Sequence, residues 1–118
     1  MKITQPNYSY LRLLNAIKAI NDLPDFPDLD CIENHFLNLL GAEWLKNEPL
    51  TVISAISLDN GISRSTMLRK LRSLEDKGVI HLETDPKDRR IKHVKSTKKT
   101  DEYFHQIGIC MTRVLQHE

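Results

Sequence analysis

The segment from Leu50 to Thr97 constrains the fold most, because its elements follow one another with clear punctuation at each boundary. Thr51 can cap a short helix in which Val52, Ile53, Ala55, Ile56 and Leu58 face mostly inward. Asp59-Asn60-Gly61 is a turn signal, since Asn and Gly tolerate positive φ. Ser63 caps the next helix, 63–77, where Met67, Leu71 and Leu74 recur at helical spacing and Leu68 widens the stripe. Gly78 stands where a left-handed residue closes a helix. Two short alternating stretches follow, Val79 to Thr84 and Ile91 to Lys95, around the turn Asp85-Pro86-Lys87-Asp88. The second places Ile91, His93 and Lys95 on one face and Lys92 and Val94 on the other.

Helices flank this segment. Residues 7–22 carry Leu11, Leu14, Ile17 and Ile20 at amphipathic spacing, with Tyr10 and Leu13 beside them. Leu23-Pro24-Asp25-Phe26-Pro27-Asp28 cannot continue a helix and reads as an ordered turn. Asp28 or Asp30 then caps a second helix to about Lys46, with Ile32, Phe36, Leu39, Leu40, Trp44 and Leu45 as its apolar set. A last helix from Lys98 to about Gln116 shows Tyr103, Phe104, Ile107, Met111, Val114 and Leu115. The predicted fold is mainly α with a small β-hairpin wing, a winged helix-turn-helix at 50–97 within a single domain of 1–118. The first and last helices hold more apolar surface than a monomer of 118 residues readily covers. Segments 7–22 and 98–117 are therefore the expected dimerisation helices of a homodimer.

Several function classes drop out. No apolar run reaches the roughly 18 residues of a membrane span. Met1 to Tyr10 has one lysine and no apolar core, so no signal peptide is read and a cytoplasmic protein is expected. Cys31 and Cys110 lie far apart and read as two buried thiols. Cys31 and His35 have metal-ligand spacing on a helix, but two ligands do not make a site, and no metal or cofactor is expected. Phosphate-cradling glycine loops, serine nucleophile motifs and paired carboxylates in a cleft are all absent, so the chain does not read as an enzyme.

Charge points to nucleic acid. The net charge is only +1, yet residues 1–49 hold 4 basic against 7 acidic residues, and residues 63–99 hold 12 against 5. A near-neutral chain with its positive charge gathered in one segment has a directed electrostatic footprint. The outer face of helix 63–77 carries Arg64, Ser65, Thr66, Arg69, Lys70, Arg72 and Ser73, and no acid precedes Glu75. Free N–H groups at the helix start, after the Ser63 cap, suit phosphate, and the short Ser65 and Thr66 let the backbone approach a groove floor. Arg64 and Arg69 can reach guanine O6 and N7, whereas Lys70 and Arg72 suit phosphates. In the hairpin, Arg89 and Arg90 suit the minor groove, with Lys92 and Lys95 extending the positive edge. Asp88 is placed to orient the Arg90 guanidinium. The site expected for double-stranded DNA is thus Ser63, Arg64, Ser65, Thr66, Arg69, Lys70, Arg72, Arg89, Arg90 and Lys92.

Three stretches carry a family resemblance: Ile62-Ser63-Arg64-Ser65-Thr66, Leu74-Glu75-Asp76-Lys77-Gly78-Val79-Ile80 and Asp85-Pro86-Lys87-Asp88-Arg89-Arg90. Over about 45 to 60 residues the chain resembles the winged-helix core of MarR-type transcriptional regulators. The resemblance implies a homodimer built on the terminal helices, a pseudo-palindromic operator, and release of DNA by a small-molecule effector, a metal or an oxidant. By position it assigns Arg64, Ser65, Thr66 and Arg69 to the major groove and Arg90 to the minor groove. Ser96-Thr97 stands where the family has Leu-Thr, and one terminal helix follows where many relatives have two, so the chain reads as a shortened member. Two other readings fit the same residues: a winged-helix module that docks a protein partner, and a plasmid or phage replication factor.

Overall fold

The computed structural model describes residues 5–21 and 26–116. Residues 23–25 of the expected turn, with Asp22 and His117 at the ends of the expected dimerisation helices, lie outside the described residues. The elements run α1 (Pro6–Asn21), α2 (Cys31–Leu45), α3 (Val52–Ala55), α4 (Arg64–Asp76), β1 (Ile80–Thr84), β2 (Lys92–Ser96) and α5 (Lys98–Gln116). The fold is mainly helical with one two-stranded antiparallel hairpin, as the residue pattern predicts. No described helix is long and apolar enough to cross a membrane. The chain divides into two compact units, residues 1–28 with 98–118, and residues 29–97.

In the first unit α1 packs on α5. Pro6 opens α1, where a missing N–H costs nothing. Ile20 is buried from α1, and Thr100, Tyr103 and Val114 are buried from α5. The Phe26 ring stacks on Tyr103 at 4.0 Å between centroids. Leu11 and Leu14, expected in the packed stripe, are exposed beside Tyr10, and so are Met111 and Leu115 of α5. Each helix therefore has one covered and one uncovered apolar strip, because α1 uses its Leu13, Ala16 and Ile17 side inward instead.

The second unit is built on a buried carboxylate. Asp30, one of the two expected caps, starts α2 with a capping box: its side chain accepts the Glu33 N–H at 2.8 Å, and Glu33 Oε1 accepts the Asp30 N–H at 3.0 Å. The Glu33 side chain is only 2% exposed and also crosses to α4. Its Oε1 accepts from Lys77 Nζ at 2.7 Å and its Oε2 from the Ser73 hydroxyl at 2.6 Å. Lys70 of α4 donates to Asp30 Oδ2. Burial pushes the Glu33 carboxyl up, but the Asp30 N–H, Lys77 and Ser73 outweigh it and leave the group below its usual range. Lys70 and the Glu33 N–H draw Asp30 down to about 2.

Around this latch Phe36, Leu37 and Leu40 of α2 pack with Met67, Leu71 and Leu74 of α4, all essentially inaccessible. Leu37, outside the expected apolar set, is buried, whereas Leu45 is 87% exposed at the end of α2. Thr51 caps α3 through the Ser54 N–H at 3.1 Å. Of the α3 set expected inward, Ala55 is buried but Ile53 is 72% exposed, since a helix of one turn hides only part of its circumference. The Asp59-Asn60-Gly61 turn forms without positive φ: Asp59 Oδ1 accepts the Gly61 N–H at 2.7 Å, a side-chain bond that does the same work. Left-handed backbone falls instead at Asn47 (φ 59°), just past α2, and at Gly78 (φ 77°), just past α4.

The hairpin begins one residue later than the alternation predicts, at Ile80, because Val79 and Ile80 are both buried. Its register pairs Ile80 with Ser96, Leu82 with Val94 and Thr84 with Lys92. Val94 points inward, on the face opposite His93 and Lys95 as predicted. An isolated two-stranded hairpin is marginal in water. Here it is tied down from three sides. Val94 N–H donates to Leu50 C=O at 2.7 Å, the Trp44 indole N–H donates to Val94 C=O at 3.0 Å, and the Thr97 hydroxyl donates to Gly78 C=O at 2.7 Å.

Two consequences are measurable. Glu33→Ala leaves Lys77, Ser73 and the Asp30 N–H without their acceptor, and urea unfolding should show a loss of about 3–5 kcal/mol. Glu33 and Asp30 have lowered carboxyls in the folded state, so their contribution is complete above the unfolded value near pH 4. Stability should therefore drop as pH falls from about 4 through about 2, and the Glu33→Ala chain should show a shallower drop. Separately, Trp44→Phe removes one hydrogen bond to the hairpin; it should cost about 1 kcal/mol and speed amide exchange in Lys92–Ser96 before that of α4.

Candidate nucleic-acid interface

The interface is built outward from Ser63. It caps α4 by accepting the Thr66 N–H at 3.2 Å, and its hydroxyl donates to Thr66 Oγ1 at 2.9 Å, with Ser65 Oγ 3.3 Å away. Arg69 Nη2 donates to the same Thr66 Oγ1 at 3.3 Å. Opposite the buried Met67, Leu71 and Leu74 stripe, Ser65, Arg69 and Arg72 stand at i, i+4 and i+7 and are all exposed. Arg64 is exposed on the first turn. Neither Arg64 nor Arg72 has a side-chain partner among the described residues.

Lys70 and Ser73 depart from the sequence reading, which put both on the outward face. Both turn toward α2, Lys70 to Asp30 and Ser73 to Glu33. The reason lies in the partners: two carboxylates 40 residues away in sequence claim them. Lys77 makes the third such link, so positions 70, 73 and 77 form one inward polar stripe.

At the hairpin tip Asp88 does hold Arg90. Asp88 Oδ1 accepts the Arg90 backbone N–H at 3.0 Å and its Nε–H at 3.1 Å, and Oδ2 accepts from Nη2 at 3.2 Å. Arg90 lowers the Asp88 carboxyl below its usual range. The Arg90 side chain is 90% exposed, so the carboxylate fixes a guanidinium that still faces outward. Arg89 and Lys92 are exposed and have no side-chain partner among the described residues, whereas Lys95 lies 3.7 Å from Glu83.

Sequence reasoning missed the residues that orient this surface, namely Glu33, Lys77 and Trp44. One signal was present: Asp30-x-x-Glu33 ahead of an apolar run is the capping-box spacing. The two cysteines differ from the expectation too, Cys31 being exposed and Cys110 half-buried. His35, the partner considered for Cys31, instead bonds Asp59 at 2.6 Å. Among the described residues no three metal-ligating side chains come together.

No protein-family model matches the chain. Solved structures do. The transcriptional regulator Tm0710 from Thermotoga maritima superposes with a TM-score of 0.64 at 16% identity, over 92% of this chain and 68% of that one. The PcaV transcriptional regulator from Streptomyces coelicolor, solved with its natural ligand, gives 0.53 at 22% identity over 96% and 77%. MarR gives 0.53 at 19% identity over 88% and 67%. With its hairpin behind the second helix of a helix-turn-helix, the chain has the winged-helix fold of the MarR-type transcriptional regulators.

Proposed function

We propose that the chain is a sequence-specific double-stranded DNA-binding regulator of transcription, with α4 in the major groove and the hairpin tip in the minor groove. The observation that carries this reading is the outward face of α4. Arg69 and Arg72 stand there, with Arg64 exposed on the first turn, none with a carboxylate partner among the described residues, and the first acid of the helix is Glu75. An exposed helix kept only for solubility usually mixes signs at i, i+4. Here the available acids, Asp30 and Glu33, are spent on the inward stripe and leave the outer stripe purely basic.

The proposed contacts divide by what each side chain has left to offer. Arg64, Ser65 and Arg69 read base edges, and Arg72 meets phosphate. Ser63 serves the helix cap, and Lys70 serves the latch to α2. Arg90, pre-set by Asp88, enters the minor groove, flanked by Arg89 and Lys92. The regulator acts as a homodimer through its first unit, where Tyr10, Leu11, Leu14, Met111 and Leu115 leave apolar surface uncovered on α1 and α5. A groove of about 750 Å³ in that unit, lined by Ile20, Phe26, Tyr103 and Lys99 among others, is the proposed place for a small-molecule effector.

Fluorescence anisotropy against a mixed-sequence duplex over a salt series tests the reading. Affinity should fall steeply with log salt, each phosphate contact adding about 0.9 to the slope. Arg72→Ala should reduce that slope by about one, while Arg64→Ala should cost roughly 1–3 kcal/mol on a selected operator only. Lys70→Ala should leave the slope unchanged. Absence of binding at about 50 mM salt, where non-specific contacts persist, would overturn the proposal in favour of a protein partner on the basic face.

A further inference from the structure

The hydroxyl network that opens α4 gives one residue a role different from that of its neighbours, an inference that rests on the DNA-binding reading above.

Thr66 Oγ1 accepts twice, from the Ser63 hydroxyl at 2.9 Å and from Arg69 Nη2 at 3.3 Å. A hydroxyl oxygen has two lone pairs, so both are used. What Thr66 still holds is its own O–H hydrogen, which makes it donor-only toward anything outside. Arg69 keeps its remaining N–H groups for a ligand, but one corner of its fork is fixed. Arg64, one turn earlier, has no such hold among the described residues. Two exposed arginines on one helix therefore differ in preorganisation. A held guanidinium loses less rotamer freedom on binding, and it discriminates because its fork cannot swing to a second-best acceptor.

We propose that Thr66 is the positioning residue for Arg69, whose held, donor-only fork makes one position of each half-site selective for the O6/N7 acceptor edge of guanine. Arg64, which no side chain holds among the described residues, is then the less discriminating of the two base-reading arginines. Thr66 contributes through Arg69 and not through a base contact of its own.

Thr66→Val keeps the β-branched shape and the backbone N–H that Ser63 caps, and removes only the hydroxyl. Thr66→Ser restores the hydroxyl. The test selects duplexes from a random-sequence pool with the full-length wild-type chain. Anisotropy then measures wild type, Thr66→Val, Thr66→Ser and Arg69→Ala on the selected duplex and on its single-base variants at each enriched guanine. A bidentate arginine–guanine contact separates the right base from the wrong one by roughly 5- to 150-fold. Thr66→Val should narrow that ratio by about threefold or more at the position that Arg69→Ala erases, and nowhere else. Thr66→Ser should hold the ratio, and the salt slope should not move.

A readout without DNA accompanies this: the NMR order parameter of the Arg69 Nε–H should fall in Thr66→Val and persist in Thr66→Ser, with that of Arg64 unchanged. A Thr66→Val chain that keeps the guanine ratio, or an Arg69 that stays equally ordered without the hydroxyl, overturns the inference while leaving the DNA-binding reading intact. A wild-type pool that enriches no motif overturns both. Uniform loss on all sequences, with a lowered unfolding midpoint, marks Thr66 as merely structural and overturns the inference alone.

Discussion

The carboxylate of Glu33 is the interaction on which the second unit depends. A buried ion of this kind is tolerable only when its lone pairs are met, and here Oε1 takes an N–H and an ammonium while Oε2 takes a hydroxyl. The partners sit at the start of α2 and in the last two turns of α4. Two helices joined by apolar contacts alone can slide or roll by fractions of a turn with small loss. Hydrogen bonds to fixed oxygens remove that freedom. The rotation of α4 about its axis is set by its buried Met67, Leu71 and Leu74 together with Lys70, Ser73 and Lys77, and so is the direction in which Ser65, Arg69 and Arg72 point. A polar device in the interior thus decides what the exterior presents.

The hairpin follows the same logic with weaker parts. Its two strands are five residues each, too short to stand alone. Leu50 and Thr51 extend the sheet by one bond and one bridge, and the Trp44 indole closes over the free Val94 carbonyl. The hairpin is thereby tied to the end of α2, the helix that the latch joins to α4. The tip, Asp88 to Arg90, carries its own local constraint and needs nothing from the core. Direction comes from the core, and the shape of the tip comes from a side chain two residues away.

This division explains what could be read from the residues. Caps at Thr51 and Ser63, the closing Gly78 and the Asp88–Arg90 pair are local, with donor and acceptor a few residues apart, so spacing finds them; for α2 it leaves Asp28 and Asp30 as alternatives, of which Asp30 is the cap. Helix periodicity likewise located Met67, Leu71 and Leu74. What spacing misplaced is tertiary. Lys70 and Ser73 look like solvent residues until Asp30 and Glu33 arrive from another helix. Leu37 is buried and Leu45 is exposed, because at the end of α2 it is the adjacent Trp44 that turns in to meet the hairpin. Asn60 and Gly61 did not use the positive φ open to them, since Asp59 supplied a side-chain acceptor instead.

The charge count needs the same correction. Twelve basic residues between 63 and 99 suggest a broad positive patch, yet Lys70, Lys77, Arg90 and Lys95 each lie against a carboxylate. Pairing removes much of their long-range field and leaves, in the second unit, a narrower set with Arg64, Arg69 and Arg72 on α4 and Lys87, Arg89 and Lys92 at or beside the tip. A narrow set has an advantage over a broad one for reading sequence. Diffuse charge raises affinity for every duplex alike, whereas few, oriented donors put more of the binding energy into contacts that depend on the base. Because the latch holds α4 from its inner side, residues 65, 69 and 72 carry little of the stability. They are free to differ between related chains without unfolding them, and a new DNA sequence can be read by changing the outer stripe alone.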